Sequence, residues 1–173
     1  MKYSISLLIL CFFIFFSGCA SHKNYVGGKL ISGPAATDIV NYVNQGLISI
    51  AELEKKSLER YASVAGKNFT SNQKLLETLK DFVIPTYKRF VTGLGNISPE
   101  TQEVRNVHAI YLKAAEATLE GFQTIMVGLE NDDERIIQQG NKKLEEGQAG
   151  VKKWRAALNE LYIKNGVAEL KDK

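Results

Sequence analysis

The chain has 173 residues, of which 45% are hydrophobic and 24% are charged, a balance typical of a globular domain. Its formal net charge of +3 lacks the strong basic bias of a nucleic-acid-binding domain, and its two cysteines are too few for a disulfide framework. The composition therefore excludes a chain that is disordered or membrane-embedded throughout, and it disfavours nucleic acid as a partner.

The first twenty residues have the pattern of a secretory leader. Lys2 supplies a positive charge, and an apolar run of about 12 residues extends from Ile5 to Phe16. This run is shorter than the roughly 20 residues that a membrane-spanning helix needs. It ends at Phe16-Ser17-Gly18-Cys19, which resembles the lipobox of bacterial lipoproteins. A plain signal peptide or an uncleaved anchor is the alternative interpretation.

The resemblance to bacterial lipoproteins implies how the chain is processed and divided. Residues 1–18 would be the signal peptide, and Cys19 would receive a diacylglyceryl thioether and usually a further acyl chain such as palmitate. Residues 19–33 would form the lipidated cysteine and a flexible tether, and residues 34–173 a helical domain. Ala20 resembles the pattern sorted to the outer membrane in diderm bacteria. In a single-membrane organism, the protein would sit on the outer face of the plasma membrane.

Beyond the tether, apolar residues recur at spacings of three and four, which predicts helices. The first helix is predicted over residues 35–65, and the second from an N-cap at Thr70 or Ser71 to about residue 92. Pro85 predicts a kink in the second helix, because proline lacks the backbone N–H group that an α-helix uses. The predicted buried stripe of this helix consists of Leu75, Leu79, Phe82, Val83, Phe90 and Leu94.

The third helix is predicted to start at Ser98-Pro99-Glu100, with Ser98 as its N-cap and Pro99 in the first turn. The acidic segment 131–134 predicts its end and the start of the fourth helix. Gly166 is typical of a helix C-terminus, and we expect the tail from Val167 onward to fray. Four helices with short connections predict an all-α, up-down four-helix bundle. A three-helix core with one helix swung out is the alternative.

The seam of the fourth helix contains Gly140 and Gly147, each of which costs about 1 kcal/mol of helix propensity relative to alanine. One interpretation is close packing within the bundle, against Phe82, Phe90, Tyr111 or Phe122. The other is a groove for a partner or ligand, formed by Pro85, Gly140 and Gly147. The full predicted seam consists of Ile137, Gly140, Leu144, Gly147, Val151, Trp154, Leu158 and Leu161.

No residue pattern in the sequence indicates a catalytic, metal or cofactor site. His108 lies on the third helix, but Arg105 occupies the position where a di-iron bundle has glutamate, so we expect a packed histidine. The body resembles small helical lipoproteins of bacterial envelopes to which no function is assigned. The sequence therefore predicts a non-enzymatic, membrane-anchored interaction or structural module. Its expected partners are the membrane, through lipid on Cys19, and another envelope protein. The alternative is a bundle that binds a small apolar ligand.

Overall fold

The computed structural model describes residues 25–26, 29–30 and 33–167. The predicted signal peptide, Cys19 and most of the predicted tether lie outside these residues. Tyr25–Val26 and Lys29–Leu30 pair as two short antiparallel strands. The rest of the described fold is helical, as predicted for an all-α domain.

Four long helices form the domain, and the first two each contain a π-helical turn. The first helix consists of Pro34–Asn41, the π turn Tyr42–Leu47, and Ile48–Ala62. The second consists of Asn72–Thr78, the π turn Leu79–Val83, and Ile84–Gly95. The third is Gln102–Glu130 and the fourth is Glu134–Lys164, while a 3₁₀ turn, Gly66–Asn68, lies in the first connection.

The helices alternate in direction, as the up-down prediction requires. Between the third and fourth helices, Gly121 faces Leu144 and Gly128 faces Ile137, so the residue numbers run in opposite directions. The first and third helices run parallel, because the residue numbers of their contacting pairs increase together along both helices. Those contacts are Asp38 with Thr101, Tyr42 with His108, and Tyr61 with Phe122. The prediction of a four-helix bundle is therefore confirmed.

The π turn in the second helix changes which residues face the core. Phe82 was predicted to be buried but is 39% exposed, whereas Tyr87, outside the predicted stripe, is 1% exposed. A π turn adds one residue to a helical turn, and this shifts every later side chain around the helix axis. Pro85 lies two residues after the end of the π turn, in the first turn of the next α-helical segment, where its missing N–H is tolerated.

The third helix starts later than its sequence predicts, and Ser98 is not its N-cap. The N-cap is Thr101, which is held in an extended conformation. One carboxylate oxygen of Asp38 accepts a hydrogen bond from the Glu100 N–H at 3.1 Å, and the other accepts from the Thr101 N–H at 2.7 Å and its hydroxyl at 2.6 Å. A side chain of the first helix thus fixes the start of the third.

Local capping determines the other helix ends. Ser71 accepts from the Lys74 N–H, as the N-cap prediction requires, and Asp133 accepts from the first turn of the fourth helix. Gly166 has a φ of 66° and closes the fourth helix together with Val167, whose N–H donates to the Tyr162 carbonyl at 3.0 Å. Val167 is buried, so the prediction that it frays is wrong; residues 168–173 lie outside the described residues.

Replacing Asp38 by alanine should destabilise the bundle by about 2–4 kcal/mol, because the N–H donors of Glu100 and Thr101 lose their charged acceptor. Urea unfolding followed by circular dichroism measures this loss. Asp81→Ala is the matched control, since Asp81 is an exposed acid in the second helix and should cost less than about 0.5 kcal/mol. Equal costs for the two variants would contradict the role assigned to Asp38.

Candidate functional site

The glycines of the fourth helix lie directly against the third helix. A Cβ atom at Gly140 would come within 2.6 Å of the Ile125 side chain and 2.8 Å of its backbone nitrogen. A Cβ at Gly147 would come within 2.1 Å of the Thr118 hydroxyl and 3.0 Å of the Ala114 carbonyl. Real Cβ atoms do not approach other atoms so closely, so only glycine allows this separation between the helices.

This geometry favours intramolecular packing as the reason for the seam glycines. The contacts of Gly140 and Gly147 come from the Ile125 and Thr118 side chains and from the backbone of the third helix, and not from the four aromatic rings that the sequence suggested. Pro85 is exposed on the second helix, whereas both glycines are buried. The structure therefore does not bring these three residues together into one groove.

A buried acid lies in the centre of the bundle. Glu54 of the first helix is 2% exposed, and its carboxylate accepts a hydrogen bond from the Tyr111 hydroxyl at 2.7 Å. The Tyr111 ring stacks on Trp154 of the fourth helix, with 4.1 Å between ring centroids. Tyr111 also packs against Phe90 of the second helix, with 5.9 Å between ring centroids. Side chains from all four helices therefore meet around one carboxyl group.

Burial dominates the electrostatics of this centre. It raises the pKa of Glu54 from 4.5 to about 7, although the hydrogen bond from Tyr111 and the positive charge of Arg155 oppose the rise. The pKa of the Tyr111 hydroxyl is also well above its usual value, first through burial and then through the nearby Glu54. The Glu54 carboxyl group can therefore exchange a proton near neutral pH, and its charged form is costly in this buried position.

The sequence contains a signal for Glu54, although this residue belongs to no catalytic motif. Glu54 interrupts the apolar series of the first helix between Ile50 and Leu58, at the spacing of a core position. Ser57 follows on the same face, is fully buried, and donates a hydrogen bond to the Val83 carbonyl at 2.9 Å. Polar residues at core spacing thus mark the side chains that join the first helix to its neighbours.

His108 is a packed histidine, as expected from the sequence. Its ring contacts Tyr42 edge to face, with 5.6 Å between centroids, and burial lowers its pKa. The Nδ1 atom of His108, the Tyr42 hydroxyl and the Trp154 Nε1 atom are buried without a hydrogen-bond partner among the described residues. Burial raises the pKa of the Tyr42 hydroxyl, and the neighbouring Trp154 indole opposes this rise. The two groups nevertheless lack normal hydrogen-bond geometry.

A polar groove of about 460 Å³ lies at the end of the bundle where the first helix begins. The first helix forms one wall, and the connection between the second and third helices forms the other. The buried Asp38 joins the two walls through its hydrogen bonds to Glu100 and Thr101. The side chains that give this polar groove its character are Asn41, Gln45, Ser49, Asn96, Ser98 and Glu100.

Neither a metal-binding cluster nor a helix suited to crossing a membrane is present in the part of the chain that the structure describes. Within it, no three histidine, cysteine, aspartate or glutamate side chains are grouped so that they could hold a metal ion. Within the same residues, no helix combines the length and the apolar character needed to cross a membrane.

Comparison with protein-family models, with curated proteins and with solved structures finds no significant match to this chain. The interpretation of the buried acid and of the polar groove therefore depends on their own geometry and chemistry.

Alanine at Gly140 or Gly147 should destabilise the bundle, because the steric conflict with the third helix exceeds the roughly 1 kcal/mol gained in helix propensity. We expect a net loss of about 1–3 kcal/mol in urea unfolding experiments. Gly95→Ala is the control, since the nearest atom to a Cβ at Gly95 is 3.9 Å away. This variant should be neutral or more stable. A stabilised Gly140→Ala variant would contradict the close helix contact.

Glu54 should make the domain less stable as the pH rises. Since its pKa is raised in the folded state, the stability linked to this group is complete below about pH 4.5 and falls as the pH rises to about 7. The shift corresponds to a loss on the order of 3 kcal/mol between these limits. Urea unfolding at several pH values measures it. Glu54→Gln should remove most of this slope, and Glu59→Gln, which changes an exposed acid, should leave it unchanged.

Proposed function

We propose that this protein is a lipid-anchored, non-enzymatic module of a bacterial cell envelope, which presents a rigid helical domain at a membrane surface. The anchor is lipid on Cys19, and the domain begins at Pro34, so about 14 residues separate the two. A fully extended chain of this length spans at most about 50 Å. The domain would therefore work close to the membrane that holds it.

The sequence Phe16-Ser17-Gly18-Cys19 is the single observation that carries this proposal. The cysteine follows two small residues at the end of an apolar run that is too short to span a membrane. Each buried methylene group contributes roughly 0.8 kcal/mol to membrane binding, so two or three acyl chains hold a protein stably where one does not. The location would be the outer membrane of a diderm bacterium, or the outer face of the plasma membrane otherwise.

The packing of the bundle supports a structural or interaction role over the binding of a small apolar ligand. The third and fourth helices touch through glycines, which leaves no space between them at Gly140 and Gly147. The central aromatic rings pack on one another at centroid distances of 4.1–5.9 Å. The partner would therefore meet the outside of the domain, where another envelope protein or an envelope polymer has access.

Metabolic labelling with a palmitate analogue in a bacterial host tests the anchor. The wild-type chain should carry the label, partition with membranes and lose its leader. Cys19→Ala should abolish labelling and leave the leader uncut. Cys11→Ala is the matched control, because Cys11 lies inside the leader and its loss should change neither result. Labelling that persists in Cys19→Ala, or a wild-type chain without label, would overturn the proposal.

A further inference from the structure

We propose that the polar groove binds an N-acetylated saccharide. The groove has the volume of a small-molecule site, about 460 Å³, and it is open to solvent along one side of the first helix. Its walls are fixed by the hydrogen bonds from Glu100 and Thr101 to Asp38, and this anchoring lowers the cost of ordering the groove around a ligand.

Close helix contacts shape the groove. Gly46 lies in the π turn of the first helix, and a Cβ there would come within 3.1 Å of the Ile97 side chain. Gly93 similarly brings the second helix against Ile50. The π turn is part of the first wall, and such turns occur frequently at functional sites.

The amide side chains of the groove carry the specificity for an acetamido group. The Gln45 side-chain N–H donates to the Asn41 side-chain Oδ1 at 3.4 Å, so the two amides lie side by side on one face of the first helix. Gln45 and Asn96 are exposed and Asn41 is half-buried in the wall of the groove, so a ligand can reach all three amide side chains. An acetamido group presents one N–H donor and one carbonyl acceptor, so the Gln45 Oε1 atom and an Asn41 side-chain N–H can pair with both of its polar groups.

The remaining lining selects a hydroxyl-rich, uncharged ligand. The Glu100 carboxylate and the Ser98 hydroxyl can accept hydrogen bonds from sugar hydroxyls, while Ile97 offers a small apolar surface to the C–H face of a sugar ring. The lining contains no lysine or arginine and two acids, which disfavours an anion. The nearby Arg105 donates to the backbone carbonyls of Pro99 and Glu100, which reduces the attraction of the groove for a cation.

The groove lies at the end of the bundle where the chain enters from the N-terminal segment. Gly33 immediately precedes the first helix, and Asp38, one turn later, holds the second wall. A lipid on Cys19 would place this end of the domain towards the membrane. That placement depends on the proposed anchor, whereas saccharide binding in solution does not, so the two proposals can fail separately.

Nuclear magnetic resonance titration of the purified full chain carrying Cys19→Ala, in detergent, tests saccharide binding directly. The probe is N,N′-diacetylchitobiose, and cellobiose is its matched control because it is the same disaccharide without acetamido groups. We expect the side-chain amide signals of Asn41, Gln45 and Asn96 to shift with the first probe and to shift far less with cellobiose. Shifts of equal size with both probes, or none with either, would overturn the proposal.

Two substitutions locate the site. Gln45→Ala and Asn96→Ala should each weaken binding about fivefold, the effect of losing one hydrogen bond. Both residues are exposed, so neither change should alter the folded structure. Gln123→Ala, an exposed glutamine of the third helix, is the control and should bind as tightly as the parent chain. Unchanged saccharide binding in both groove variants would overturn the assignment. An acetylated dipeptide amide that bound as tightly as N,N′-diacetylchitobiose would also overturn it.

The saccharide has two possible sources at a membrane, and sedimentation assays distinguish them. Retention on insoluble cell-wall glycan, lost in Gln45→Ala, would support the proposal and assign the source to the polymer. Retention on vesicles that carry an N-acetylated glycolipid, with the same dependence on Gln45, would support it and assign the source to a lipid headgroup. Retention on neither material would overturn a role for the groove in the envelope.

Discussion

The close approach of the third and fourth helices is the constraint on which the rest of the structure depends. Gly121, Gly128, Gly140 and Gly147 bring the two backbones together at intervals along their length. The contact orients the fourth helix so that Trp154 stacks on Tyr111. The first two helices then pack against this helical hairpin. Residues 33–167 contain no cysteine, so close packing of small residues provides rigidity that a disulfide cannot supply here.

Buried polar side chains tie the first helix to this hairpin at specific points. Asp38 holds the start of the third helix, and Glu54 accepts from Tyr111 in the centre. A hydrophobic face alone would permit several helix registers, whereas each buried acceptor is satisfied in only one arrangement. Asp38 also links the fold to the candidate site, since its hydrogen bonds to Glu100 and Thr101 fix the wall of the polar groove.

The sequence alone predicts the number of helices, their approximate bounds and their assembly into a bundle. Apolar residues at spacings of three and four lie on one side of each helix, and that side must be buried. The sequence also predicts the helix ends at Thr70 or Ser71, at the acidic segment 131–134 and at Gly166, since each of these signals acts on its own helix. The lipobox at Cys19 is likewise a local pattern, and it stands as a prediction. Cys19 lies outside the described residues.

Only the tertiary structure decides the features that depend on distant contacts. The start of the third helix is set by the hydrogen bond from the Thr101 N–H to Asp38. Asp38 lies 63 positions earlier in the chain, so no local sequence pattern indicates this bond. The π turns shift the helical register, so Phe82 faces solvent and Tyr87 faces the core. The polar groove draws its walls from the first helix and the connection after the second. Periodicity describes one helix at a time, whereas caps from other helices, register shifts and grooves arise from packing between helices.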